Sequence, residues 1–237
     1  MKKMPRFVIY IVVVSTLTRV THVQQVLSDI ENNPPISEKP QNGNPSEIKI
    51  YEELFRKSFV HQRKEHTEAI KRLRNIDNYE RLYKMITILG TKMIDIIEAS
   101  KQLIESTDFN PDDRSLPKNV TIQSAISTTL ENTALFADIL LHFPHMTHRI
   151  LKTQKEWNPV INWSLHFTNR TKHLLDAETL TVVHLAAQEL NIIEREPGYV
   201  NPYWQSTGSQ GEDEEKKKKK KSKKKAQRVP RITKTDL

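Results

Sequence analysis

His142, His145 and His148 recur every three residues, a spacing that would place three imidazoles on one face of a single helix. Imidazole is a common metal ligand. Pro144 falls inside the group, however, and no carboxylate or cysteine stands beside it to complete a ligand set, so the reading is a solvated helix corner. His166 and His184 stand alone in apolar stretches and read as core or rim histidines. The adjacent carboxylates Glu52-Glu53 and Asp112-Asp113 lie in polar surroundings with nothing to raise a pKa for acid–base work. Only five glycines occur: Gly43, Gly90, Gly198, Gly208 and Gly211. A phosphate-cradling loop or a nucleophile elbow needs them clustered, and they are not. Cysteine is absent, which removes disulfides, thiol redox chemistry and thiolate zinc sites. The residues therefore point to no catalytic centre, no metal and no cofactor.

A second kind of chemistry is modification. Asn-x-Ser/Thr sequons occur at Asn119, Asn162 and Asn169. Asn119 follows the Pro117 loop and Asn169 closes a predicted helix, so both should be reachable. Asn162 sits in apolar sequence between Trp157 and Leu165 and ranks last. These sequons matter only if the chain enters the secretory pathway, and both ends of the chain bear on that. Lys2, Lys3 and Arg6 precede the apolar run Phe7 to Val14, and Ser15, Thr16 and Thr18 follow. Basic, then apolar, then small is the order of a signal peptide, expected to span 1–18. Its run is far short of the roughly 20 residues of a bilayer span, so no membrane span is expected in the mature protein. At the other end Lys234, Thr235, Asp236 and Leu237 resemble the Lys-Asp-Glu-Leu class of retrieval signals, with Thr235 in place of an acid. The expectation is residence in the endoplasmic reticulum lumen, with partial secretion.

The formal charge of +8 conceals two opposite parts. Residues 216–237 carry twelve bases and one acid, and the leader adds three bases. The body between them is therefore acidic, at −6. A sequence-specific nucleic-acid binder would be basic on its folded surface. The lysine run 216–225 reads as a nuclear signal in isolation, and as a spacer or an electrostatic contact in a chain that crosses a membrane during synthesis.

These residues must be positioned by helices. Pro34, Pro35, Pro40, Gly43 and Pro45 punctuate a polar stretch, so 19–45 reads as a disordered leader. From Ser46, taken as an N-cap, apolar residues recur in steps of three and four through Leu73, with a lapse between His61 and Thr67. A second helix spans about Asn78 to Ser106, interrupted by Gly90, a cost of up to roughly 1 kcal/mol unless a partner helix packs closely there. A third helix runs to His142, where Pro144 ends or kinks it. Residues 146–171 form one or two short helices, and a last helix covers about Ala177 to Ile192. Nothing alternates as a strand would, and no heptad is sustained. The expected fold is all-α: one compact bundle of about five helices over 46–204, followed by a disordered polybasic tail, 205–237.

Several blocks resemble the coiled-coil domain-containing protein 134 family. They are Glu131-Asn132-Thr133-Ala134 with Phe136, the Phe143-Pro144 step, Trp157-Asn158, Trp163, and Asn169-Arg170-Thr171. Ala187-Gln188-Glu189-Leu190, Asn201-Pro202 and the ending from Pro230 follow in the same order, so the likeness runs from about Tyr51 to Tyr203 and resumes in the tail. The resemblance implies a non-catalytic lumenal adapter that assists biogenesis of endoplasmin, the Hsp90-type chaperone of the reticulum. It would act at the translocon and limit excess N-glycosylation of that client by oligosaccharyltransferase. Relatives described as secreted modulators of kinase signalling supply the alternative, and a nuclear protein using the lysine run is a third reading. Trp157, Trp163, Tyr203 and Trp204 are the candidate contact surface for a protein partner, against the alternative that these rings fill the core.

Overall fold

The computed structural model describes residues 45–113, 116–117 and 119–203. The chain divides into two units, Met1–Tyr199 and Val200–Leu237. Among the described residues, the first holds six α-helices: α1 Pro45–Arg74, α2 Tyr79–Glu105, α3 Val120–His142, α4 Pro144–Thr153, α5 Trp157–Arg170 and α6 Ala177–Glu189. A short 3₁₀ turn, Lys172–Leu174, joins the last two. In the second unit only 200–203 are described, and there the Tyr203 amide donates to Asn201 Oδ1 at 2.9 Å. The leader, the lysine run and the terminal tetrapeptide lie outside the described residues.

The all-helical bundle matches the periodicity. Its boundaries follow side chains that satisfy the orphan amides of a first turn. Asn78 accepts from the Arg81 amide at 2.8 Å, Asn119 from Thr121 at 2.9 Å and Asp176 from Thr179 at 2.9 Å. Helix α1 begins at Pro45, so Ser46 lies inside the first turn and is not the cap expected of it. The stretch 146–171 resolves into two helices. Pro144 opens α4, where its missing N–H costs nothing, and the chain turns again at 154–156 before α5.

The layout is a central helix with five others around it. α3 packs against every other helix, and all its residues from Thr128 to Leu141 are buried. A helix enclosed on all sides should be apolar all round, yet this one buries Thr128, Thr129, Glu131, Asn132, Thr133 and Asp138. Most of that polarity is returned to protein groups. Thr133 donates to the Thr129 carbonyl at 2.7 Å, Asn132 to the Thr128 carbonyl at 2.8 Å, and Ser127 to Glu131 at 2.8 Å. Asp138 takes a bidentate bond from Arg63 of α1, at 2.5 and 3.2 Å. That pair occupies the stretch where the apolar stripe of α1 lapses. The lapse combines partial exposure with an internal ion pair: His61, Lys64, Glu65 and Thr67 are exposed, while Arg63 reaches inward to Asp138. Around α3 the core is aliphatic: Leu103, Ile126, Leu130, Ile139, Leu140, Leu141, Ile150 and Leu174 are at most 1% exposed. Each contributes roughly 1.5–3 kcal/mol by leaving water.

Candidate functional site

Helix α5 carries the features that could meet a partner. Its inward face is Trp157, Val160, Ile161, Ser164, Leu165, Phe167 and Thr168, and its outward face carries Asn162, His166 and Asn169. Trp163 lies on the border, half-buried. It stacks on Phe167 with ring centroids 5.0 Å apart, and the Lys101 ammonium of α2 stands 5.5 Å from its ring. Beside this pair is an open cavity of about 240 Å³. Ile104 and Glu105 of α2, Phe109 and Pro111 of the following loop, and Trp163, His166, Phe167 and Arg170 line it.

One ion pair shapes the cavity. Arg170 donates from Nε to Asp112 Oδ1 at 3.0 Å and from Nη2 to Asp112 Oδ2 at 2.6 Å, with Asn110 Oδ1 at 3.3 Å. This bidentate contact links the loop after α2, which carries Phe109 and Pro111, to the end of α5. The Arg170 hydrogen bond keeps the Asp112 carboxyl below its usual range. The arrangement is an aromatic floor with a mixed-charge rim. Sequence reasoning reached Trp163 but not Lys101, Phe109, Phe167 or Arg170. Their role depends on a loop some sixty positions away folding back, which no local pattern announces.

Trp157 is no part of this surface. It is 5% exposed and lies against Gly90, so its assignment to the contact set is corrected. Tyr203 lies in the second unit, and Trp204 is outside the described residues. All three sequon asparagines are exposed, including Asn162. The apolar residues around Asn162 point to the opposite side of α5.

The histidines disperse. His142 Nδ1 is 2.9 Å from the Asp138 carbonyl, His148 Nε2 is 3.1 Å from Glu189 Oε1, and His184 Nε2 is 3.0 Å from Glu196 Oε1. Glu189 also accepts from the Tyr199 hydroxyl at 2.9 Å. Burial, and then that carboxylate, push the Tyr199 phenol well above its ordinary range. These bonds, with Arg195 donating to the Gln188 and Glu189 carbonyls, fasten 190–199 onto α6. Among the described residues no group of three or more His, Asp or Glu side chains could hold a metal ion. No helix among them is long and apolar enough to cross a membrane.

Comparison with known proteins places the chain. Residues 39–233 match the family model described as "ERK and JNK pathways, inhibitor". Coiled-coil domain-containing protein 134 of Xenopus tropicalis is 30% identical over 151 residues, 64% of this chain and 66% of that protein. The protein of the same name from Mus musculus is 29% identical over 150 residues, 63% of this chain and 65% of that one. The chain thus spans just under two thirds of the length of these relatives. No solved structure matches. With its ordered blocks, its helical bundle and a family match covering most of its length, the chain belongs to the family whose model is described as inhibitor of the ERK and JNK pathways, and it is similar to coiled-coil domain-containing protein 134.

Proposed function

We propose that the chain is a non-catalytic regulatory protein of the endoplasmic reticulum lumen that acts by holding a protein partner. The observation that carries this reading is the α5 surface. A half-buried Trp163, stacked on Phe167, opens beside a cavity whose rim bears Glu105, His166 and Arg170. Such a patch supplies an aromatic anchor with polar surroundings, the composition of protein contact sites. The buried pair of Arg63 and Asp138 is engaged in joining α1 to α3. The lumenal address rests on the leader 1–18 and on Lys234 to Leu237, with the sequons at Asn119, Asn162 and Asn169 as glycan acceptors.

Within that reading the partners are endoplasmin and oligosaccharyltransferase at the translocon, where the chain assists the chaperone's biogenesis and limits its excess glycosylation. Support for this finer statement is the family resemblance. Proximity labelling in cells, with and without Lys234 to Leu237, tests address and partners together. Lumenal chaperone and glycosylation components should be labelled by the full chain, and their labelling should fall for Trp163→Ala. Their absence from the labelled set would remove the adapter reading.

A second reading is favoured by the family description itself: a secreted regulator of the ERK and JNK pathways. It separates cleanly from the first. Purified protein added to cells would then lower kinase phosphorylation, and deletion of Lys234 to Leu237 would leave that effect intact.

A further inference from the structure

The sequon Asn162-Trp163-Ser164 lies within α5, the sequon Asn169-Arg170-Thr171 ends on the C-cap of that helix, and helix geometry sets each hydroxyl against its asparagine. Successive residues turn by 100°, so positions i and i+2 are about 200° apart, on opposite sides of the helix. Asn162 is exposed, while Ser164 is 2% exposed and donates to the Ile161 carbonyl at 2.9 Å. Asn169 is exposed, while Thr171 is fully buried and donates to the Phe167 carbonyl at 2.9 Å. An enzyme that reads the sequon must hold the asparagine amide and the hydroxyl together. In the folded protein one faces water and the other faces the core.

We propose that Asn162 and Asn169 accept an N-linked oligosaccharide only before α5 forms, and that folding of α5 closes both sites. The reaction requires a lipid diphosphate-linked oligosaccharide as donor. Asparagine Nδ2 attacks the anomeric carbon, the new C–N bond forms as the sugar C–O bond to diphosphate breaks, the lipid diphosphate leaves, and Nδ2 loses one proton. Nothing in the fold opposes the product, since both side chains point into solvent. Seven positions apart, they fall within about 20° of each other around the helix, on the face that carries His166 and borders Trp163. A chain whose α5 forms late therefore carries sugar beside the aromatic surface, and one that folds early presents it bare. Glycan occupancy at α5 records the order of folding and modification. The proposal rests on the lumenal reading.

Two arms test it. In the first, full-length unglycosylated protein, refolded and checked by circular dichroism, is incubated with solubilised oligosaccharyltransferase and its lipid-linked donor. The comparison is His166→Pro, which breaks α5 at an exposed position without removing a core side chain, and the wild-type chain diluted from urea directly into the enzyme. Mass spectrometry should find Asn162 and Asn169 modified at least tenfold faster in both open forms than in the folded chain. Equal rates would overturn the proposal, as would open forms left bare at both sites. In the second arm the full chain, extended by a flexible acceptor sequon, is translated with microsomes. Sugar on the added sequon and on Asn162 or Asn169 supports the proposal. Sugar on the added sequon alone, with both α5 sites bare even in His166→Pro, refutes it. A bare added sequon would instead defeat the lumenal reading, and the first arm still decides whether α5 gates the reaction.

Discussion

Gly90 of α2 lies flat against the indole of Trp157 at the start of α5: a β-carbon on Gly90 would stand 2.6 Å from Trp157 Cζ3 and 2.7 Å from Cη2. The glycine that interrupts the apolar pattern of α2 is thus the seat of a large ring. Gly90→Ala gains up to roughly 1 kcal/mol in helix propensity but overpacks the contact, at a typical cost of about 1–3 kcal/mol. The indole is buried and has little room to retreat, so net destabilisation is the expected result. Urea unfolding of the variant measures it. Gly90→Ala combined with Trp157→Leu should recover part of the loss, because the smaller side chain gives way.

The buried pair of Arg63 and Asp138 joins α1 to the central helix, with side chains 16% and 8% exposed. Arg63→Ala leaves a carboxylate in the core without its cation. The expected loss is about 3–5 kcal/mol, as for other broken buried pairs. Arg63→Met with Asp138→Leu removes both charges and should unfold at a urea midpoint well above that of the single variant. A double variant no more stable than Arg63→Ala would show that the pair does not act as a unit.

Acid should loosen the bundle at two stages with different causes. Burial holds the His142 pKa below its ordinary 6.5. The unfolded chain then binds the proton more readily than the fold, so this contribution is complete above about pH 6.5 and declines as pH falls. Asp176 titrates lower. Burial raises its pKa, but the hydrogen bonds from the Thr179 amide and hydroxyl outweigh it, and the net shift is downward. Its stabilisation is present above about pH 3.8 and disappears as pH drops through the lower folded value. Urea midpoints across pH 7.5 to 3 should show both declines, the upper one flattened in His142→Gln. Asp176→Ala should cost about 1 kcal/mol at neutral pH as a lost helix cap.

Arg170 and Asp112 are both exposed, so their contact should matter locally more than globally. Arg170→Ala is expected to speed amide hydrogen exchange in 106–113 while leaving that of α3 unchanged. Raising the salt concentration in the wild type should move exchange in the same loop the same way, by screening the pair. Protection unchanged in both cases would show that Phe109 and Pro111 hold the loop without it.

How far the sequence reaches depends on whether a property is periodic or relational. Helix positions were legible because burial of one face imposes a period of 3.6, and the break at Pro144 is short-range chemistry. The caps at Asn78 and Asn119 were not singled out, and Ser46, expected as a cap, lies inside α1. Family membership was legible too, since ordered blocks such as Glu131 to Ala134 survive in the linear string. What only the tertiary structure decided were pairings between distant positions. Arg63 reads as one more surface base until Asp138 is found opposite it. Trp157 and Trp163 read alike until one meets Gly90 and the other borders a cavity. Asn162 reads as shielded until α5 turns its apolar neighbours the other way. A side chain's type and spacing determine which helix face it occupies. What that face meets is set by packing against residues far along the chain, and that information is absent from any local window.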